Sequence, residues 1–150
     1  MGEIVLQATE ICKSYINGNH QLSVLENFSL SVEKNDIITI MGQSGSGKST
    51  ALNILGTLDQ PDSGFLEISG TRVNNLDEMH LSEIRNRDIG FIFQSHNLFP
   101  IYSVYENVLF PLILNGKKEE EVRALVMEMI DLMDLKSVSQ KRPSELSGGQ

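Results

Sequence analysis

The sequence has little that would support a secreted, membrane-spanning or nucleic-acid-binding protein. Its one cysteine, Cys12, excludes an internal disulfide and fits a reducing compartment. The longest apolar stretch, residues 108–114, is far shorter than the roughly 20 residues that a bilayer requires. No apolar run follows a basic start, so no secretory signal is predicted. With 12 basic against 20 acidic side chains, sequence-independent binding to nucleic acid is not expected.

The patterning of the 150 residues predicts one α/β domain. Residues 4–15 and 23–32 alternate as strands do, and the polar turn between them predicts an antiparallel pair. Residues 36–41 and 89–94 are short apolar runs, and they predict two strands buried on both faces. A further strand is predicted over residues 65–69, and helices over residues 49–58, 77–86, 104–114 and 118–133, the last with an apolar stripe of Val122, Leu125, Met129 and Leu132. This order indicates a nucleotide-binding α/β core with a helical appendage.

A glycine-rich loop, called the phosphate loop below, stands between the strand predicted at residues 36–41 and the next predicted helix. It matches the pattern G-x-x-x-x-G-K-[ST] with Gly42, Gln43, Ser44, Gly45, Ser46, Gly47, Lys48, Ser49 and Thr50. Glycines let the backbone turn tightly, so that its amides and the helix N-terminus cradle an anion. Lys48 can reach the β- and γ-phosphates of a nucleotide, and the Ser49 hydroxyl can ligate Mg²⁺. The loop predicts nucleotide-phosphate binding without deciding which reaction follows.

A second motif stands at residues 145–150, which read Glu-Leu-Ser-Gly-Gly-Gln. Together with the phosphate loop, the last five of these residues resemble the signature of the ABC (ATP-binding cassette) ATPases. The Ser147 hydroxyl and the unobstructed amides of Gly148 and Gly149 are again suited to an anion. The resemblance implies a P-loop NTPase fold with an antiparallel β subdomain, a parallel-sheet core and a helical subdomain. It also implies that Ser147, Gly148, Gly149 and Gln150 contact ATP held by a partner, so that two cassettes close head to tail as a homodimer.

Two other positions take their roles from this resemblance. Tyr15 falls where the family places an aromatic side chain that stacks on adenine, although a lone tyrosine is more often part of a core. Gln94 ends the second predicted buried strand and is similar to the family's glutamine that contacts Mg²⁺ and the attacking water; an ordinary polar strand end is the alternative. The resemblance therefore implies ATP and Mg²⁺ as cofactors, Lys48 and Gln94 as catalytic residues, and Ser49 and Gln94 as metal ligands.

Shorter motifs are similar to those of the lipoprotein-release and macrolide-export cassettes; they lie at residues 55–59, 85–87, 90–94, 97–98 and 106–108. This similarity implies a cytoplasmic subunit at the inner face of the plasma membrane, bound to permease subunits through residues 94–102. The apolar content of this segment is unusual for the alternative, a solvated loop. Asn35 stands where the family usually has glycine, and since Asn tolerates a left-handed backbone we expect the turn to survive.

In the family, a second carboxylate motif, a catalytic glutamate and a switch histidine follow the signature. We therefore interpret residues 1–150 as a C-terminally incomplete ABC ATP-binding domain, with the β subdomain and nucleotide-binding core over residues 1–94 and the helical subdomain over residues 95–150. Three functions stay open: the ATPase subunit of an envelope transporter, a non-transport cassette ATPase of the cell-division type, and a catalytically inactive ATP-binding fragment.

Overall fold

The computed structural model describes residues 2–18, 20–94 and 97–150. They divide into two units, Met1–Ile92 and Phe93–Gln150, each with its own hydrophobic core. The first unit contains strands β1 (Ile4–Asn17), β2 (His20–Glu33), β3 (Ser63–Ile68) and β4 (Thr71–Arg72) and helices α1 (Lys48–Leu55) and α2 (Glu78–Asp88). The second unit contains helices α3 (Val104–Leu114) and α4 (Glu119–Leu132) and the single 3₁₀ turns Lys136–Val138 and Pro143–Glu145.

The sheet of the first unit is antiparallel, with the strand order β2-β1-β3-β4. β1 pairs with β2 along almost its whole length, so the predicted antiparallel pair is confirmed. Ala8, Ile11 and Leu66 are each at most 1% exposed, and they share one core with Ile54 of α1. This burial of apolar surface holds α1 against the sheet.

A tight turn after β2 leads the chain toward the phosphate loop. Asn35 adopts a φ of 70°, in the left-handed region that asparagine tolerates better than most residues. The Asp36 amide donates to the Glu33 carbonyl oxygen at 3.1 Å, and the Asp36 carboxylate accepts the Glu33 amide at 2.9 Å. The expectation that asparagine preserves this turn is confirmed.

The prediction of two buried strands at residues 36–41 and 89–94 is wrong. Neither run joins the sheet formed by the described residues, and Ile37, Met41 and Ile92 are at least 85% exposed. A cavity of about 690 Å³ with a largely apolar lining lies in the first unit between these runs, the sheet and α1. A parallel strand needs hydrogen-bonded neighbours and cover on both faces, and the described part of the chain supplies neither to these runs.

The two long helices of the second unit begin and end close to the predicted positions. α3 has the predicted bounds, and α4 is one residue shorter than predicted at each end. The start of α3 is a capping box, in which the Ser103 Oγ accepts the Glu106 amide at 3.2 Å and the Glu106 carboxylate accepts the Ser103 amide at 2.7 Å. Throughout the described part of the chain, every helix is too short or too polar to cross a bilayer.

The buried face of α4 differs from the predicted apolar stripe. Val122, Val126 and Ile130 are at most 7% exposed and pack against α3. The other three members of the predicted stripe are at least 40% exposed: Leu125, Met129 and Leu132. Both sets recur with helical spacing, so periodicity alone could not choose between them, and the contact with α3 decides.

We expect Ile130→Ala to lower the free energy of unfolding of the second unit by about 2–5 kcal/mol, because the buried side chain would leave a cavity. Leu132→Ala is the matched control on the same helix; its side chain is 70% exposed, and the expected change is about 0.5 kcal/mol or less. Urea denaturation followed by circular dichroism measures both changes. Equal losses in the two variants would contradict this assignment of the buried face.

Candidate functional site

The phosphate loop approaches β2 at Gly47. Gly45 and Gly47 have φ values of 81° and 84°, in the left-handed region that favours glycine. A Cβ on Gly47 would lie 2.8 Å from the carbonyl oxygen of Val24 in β2. The first backbone hydrogen bond of α1 runs from the Ala51 amide to the Gly47 carbonyl at 2.8 Å. The amides that precede Ala51 at the start of α1 therefore have no helical carbonyl to bind and can donate to an anion.

Lys48 folds back over the phosphate loop. Its ammonium group donates to the carbonyl oxygens of Gly42 at 3.0 Å and Gln43 at 2.5 Å, and to the Ser46 Oγ at 3.4 Å. In the described ranges, no carboxylate forms an ion pair with this group. Its partners are therefore neutral dipoles, and phosphate oxygens would form stronger, charge-assisted hydrogen bonds with it.

A cavity of about 170 Å³ opens over the start of α1; it is lined by Val24, Gly45, Gly47, Lys48, Ser49 and Thr50. The Ser49 side chain is exposed there, and its hydroxyl is the kind of oxygen ligand that Mg²⁺ prefers. Within residues 2–18, 20–94 and 97–150, no group of three His, Cys, Asp or Glu side chains could hold a metal by itself. The Ser49 hydroxyl therefore fits a Mg²⁺ ion that arrives with phosphate oxygens as further ligands.

Tyr15 of β1 lies beside the phosphate loop. Its hydroxyl donates to Asp59 Oδ2 at 2.7 Å. The Thr50 side chain of α1 is a second hydrogen-bond partner of this hydroxyl. The Lys13 ammonium lies over the Tyr15 ring, 5.3 Å from its centroid. Because 40% of Tyr15 remains exposed, an aromatic surface is available next to the start of α1.

Asp59 is the centre of a small charged cluster. The Lys13 Nζ donates to Asp59 Oδ1 at 2.7 Å and to the Gln60 carbonyl oxygen at 2.6 Å. Burial would raise the pKa of Asp59, but the hydrogen bonds from Lys13 and Tyr15 outweigh it and lower this pKa. Burial would likewise lower the pKa of Lys13, and Asp59 raises it instead. The pKa of Tyr15 is raised, chiefly because its hydroxyl donates to Asp59. The three shifts stabilise a charged lysine, a charged aspartate and a neutral tyrosine.

In the second unit, Leu146 packs against the hydrophobic core, and residues 147–150 form an exposed turn after it. The Ser147 amide donates to the Gln150 Oε1 at 3.0 Å, and the Gln150 amide donates to the Ser147 carbonyl oxygen at 2.9 Å. A Cβ on Gly148 or Gly149 would meet no atom within 4 Å. The turn is therefore closed by Gln150, with two unobstructed glycines at its tip.

The segment before α3 is held by the side chain of Asn107. Its Nδ2 donates to the carbonyl oxygens of Phe99 at 3.2 Å, Tyr102 at 3.1 Å and Ser103 at 2.9 Å, while its Oδ1 accepts the Phe99 amide at 2.8 Å. The rings of Phe99 and Tyr102 pack against Phe110 of α3 with centroid separations of 4.8 and 5.7 Å. One amide and three rings thus fix an exposed segment to the helix.

Comparison with known proteins shows the family. A family model described as ABC transporter matches residues 25–150. This chain belongs to the ABC transporter family. Two similar solved structures are the dimeric structure of MJ0796, a bacterial ABC transporter cassette, and a dimeric post-hydrolysis state of the same ATP-binding cassette bound to ADP and Pi. Each is 38% identical to this chain, with a TM-score of 0.89, over 97% of this chain and 64% of that one. The resemblance to ABC ATPases and the P-loop NTPase cassette fold are confirmed, with an antiparallel sheet in the described residues. The chain spans 64% of the length of these cassettes.

The predicted site residues of this ABC cassette fall in both units. The phosphate loop and Tyr15 belong to the first unit, where Tyr15 lies next to Thr50. Gln94 and residues 147–150 belong to the second unit. The Gln94 side chain is exposed. Of the predicted permease segment at residues 94–102, Ser95 and His96 lie outside the described residues. The individual roles of these side chains stay predictions.

Sequence reasoning misses Lys13, Asp59 and Asn107. Alternation along β1 puts residues 13 and 15 on the same face of the strand, which is a usable signal for Lys13. Asp59 stands 44 positions from Tyr15 in the sequence, and Asn107 is one polar side chain among several on α3. The local sequence pattern does not show that Asp59 contacts Tyr15 or that Asn107 contacts Phe99.

We expect Asp59→Asn to flatten the acid side of the stability curve. The pKa of Asp59 lies below its ordinary value of 3.8 in the folded chain, so the unfolded chain binds the proton more readily. The stabilisation is therefore present above the unfolded pKa and is lost as pH falls through the folded pKa. Melting temperatures measured from about pH 6 to about pH 3 should fall less steeply for Asp59→Asn than for the unmodified chain. Parallel curves would contradict this origin of the stability.

Proposed function

We propose that this chain binds MgATP at the phosphate loop and is the ATP-hydrolysing part of an ABC transporter that powers export or lipoprotein release through an envelope permease. The observation that carries the proposal is the start of α1. There the phosphate loop lies against β2 through Gly47, and the Lys48 ammonium donates to the carbonyl oxygens of Gly42 and Gln43 and to the Ser46 Oγ. The ABC family membership supports ATP as the ligand, and one similar cassette was solved with ADP and Pi bound.

The backbone amides, Lys48 and Ser49 of the phosphate loop have separate roles in this proposal. The amides of the phosphate loop and of the first turn of α1 donate to phosphate oxygens. Lys48 exchanges the carbonyls of Gly42 and Gln43 for the β- and γ-phosphates. Ser49 holds Mg²⁺, which when bound neutralises phosphate charge. Tyr15 stacks on the adenine, because an aromatic face suits a purine.

For hydrolysis, we assign Gln94 to Mg²⁺ and to the attacking water. Its side-chain amide can both accept and donate a hydrogen bond and carries no charge. Phosphoryl transfer depends mainly on positioning and on charge stabilisation, so a neutral residue that orients water can have a large effect on rate. Lys48 supplies the stabilising positive charge.

We assign the turn at residues 147–150 to the γ-phosphate of ATP held by a second copy of the chain. The two glycines at its tip leave room for a phosphate group, and the Ser147 hydroxyl can donate to it. The dimeric state of the similar cassettes supports dimerisation, and the resemblance to ABC ATPases implies the head-to-tail arrangement. Closure by ATP and release after hydrolysis would then form the switch.

We assign the permease contact to the segment at residues 94–102. Leu98, Phe99 and Ile101 are 44%, 47% and 70% exposed, although all three are apolar. Asn107 binds the backbone of Phe99 and Tyr102, so the part of this segment that precedes α3 is held on that helix. A permease contact would hold the chain on the cytoplasmic face of the plasma membrane. Co-purification of a polytopic permease would separate the transport function from a cell-division-type cassette.

We expect Lys48→Ala to weaken MgATP binding about 10- to 100-fold and to abolish hydrolysis, because a charged donor to the phosphates is lost. Lys34→Ala is the matched control; this lysine is exposed and pairs with Glu3 at 3.3 Å, away from the loop. Equilibrium dialysis and phosphate release measure the two effects. If Lys48→Ala retained full affinity and turnover, the role given to Lys48 would be wrong.

We expect Gly148→Asp to block ATP-driven dimerisation while leaving the ATP affinity of the monomer within about twofold. The reason is electrostatic, since the new carboxylate would face the partner's γ-phosphate. Gly148→Ala is the matched control, because a Cβ there meets no atom of the chain itself. Sedimentation with a non-hydrolysable ATP analogue measures the dimer. Dimerisation by the aspartate variant would contradict the head-to-tail arrangement.

A further inference from the structure

Three side chains from two parts of the first unit meet beside the phosphate loop. Lys13 and Tyr15 come from β1, and Asp59 comes from the segment that follows α1. Lys13 is 12% exposed at its side chain and Asp59 is 29% exposed, so both are largely removed from solvent. Tyr15 is the most exposed of the three. Part of the Tyr15 ring is therefore exposed, whereas the charged groups of Lys13 and Asp59 beside it are largely buried.

The Asp59 carboxylate is fixed by three donors. Its Oδ1 accepts the Lys13 Nζ at 2.7 Å and the Gln60 amide at 2.7 Å, and its Oδ2 accepts the Tyr15 hydroxyl at 2.7 Å. Such short charge-assisted hydrogen bonds are among the strongest in proteins. The Tyr15 side chain is thereby held at its hydroxyl end by Asp59 and over its ring by Lys13.

We propose that Asp59 is a positioning residue for the base of the nucleotide, holding Tyr15 together with Lys13 so that the exposed part of its ring stacks on adenine. This inference rests on the proposed function, because it assumes ATP at the phosphate loop. It also links the two binding sites for the nucleotide. Asp59, which orients the ring, follows α1 in the sequence, and the start of α1 binds the phosphates.

The restraint on Tyr15 explains how an exposed ring can contribute to affinity. A free tyrosine side chain loses rotamer freedom when it stacks on a ligand, and this loss opposes binding. Asp59 removes that freedom before the nucleotide arrives. Loss of the carboxylate should therefore weaken the binding of ligands that carry a base. The binding of ligands that consist of phosphate alone should not change.

The test compares MgATP with magnesium tripolyphosphate by isothermal titration calorimetry. Asp59→Asn is expected to lower the affinity for MgATP about threefold to tenfold and to change the affinity for tripolyphosphate less than about twofold. Asp59→Glu keeps a carboxylate and should recover part of the MgATP affinity. Asp77→Asn is the matched control; it removes an exposed carboxylate at the start of α2, where asparagine is also a good cap, and both affinities should stay within about twofold.

A second variant tests the hydrogen bond itself. Tyr15→Phe keeps the ring but loses the hydroxyl. The double variant with Tyr15→Phe and Asp59→Asn should therefore lower the MgATP affinity no more than the stronger of the two single changes does. Additive losses would overturn the proposal, and so would an equal loss of MgATP and tripolyphosphate affinity in Asp59→Asn. Unchanged MgATP binding in that variant would overturn it while leaving the proposed function intact. Failure of the unmodified protein to bind MgATP would instead reject the proposed function, and this inference with it.

Discussion

The close approach of Gly47 to β2 is the contact on which the rest of the site depends. With a Cβ, residue 47 could not keep its left-handed φ at this distance from the Val24 carbonyl oxygen. The glycine therefore sets where α1 begins, and the core residues Ala51 and Ile54 then hold that start against the sheet. The unpaired amides of the first turn and the Lys48 ammonium lie close together there because one backbone position is free of a side chain.

The antiparallel sheet supplies a second part of the site through Tyr15. β1 carries this ring and Lys13 to the side of α1, and Asp59 connects them to the segment after the helix. The phosphate loop and the Tyr15 ring are thus positioned by elements that share one hydrophobic core. One of the similar cassettes was solved with ADP and Pi bound.

Local patterns predicted much of this molecule, and their failures have a common cause. The phosphate loop, the β1–β2 pair and the bounds of α3 follow from glycine spacing, alternation and capping, which are properties of short segments. The runs at residues 36–41 and 89–94 have strand-like composition, but a parallel strand forms only with neighbours, and the described residues offer none. The buried face of α4 and the meeting of Asp59 with Tyr15 likewise depend on contacts between distant segments, which no local pattern records.

In the proposed site, backbone amides at the start of α1 and the Lys48 ammonium bind the phosphates of ATP. Amide proton and nitrogen chemical shifts can be followed by nuclear magnetic resonance during a titration with MgATP. We expect the largest saturable changes in the amides of residues 45–50, and we expect magnesium tripolyphosphate to produce them as well. Saturable binding of MgATP that leaves these amides unchanged would show that the phosphates bind elsewhere.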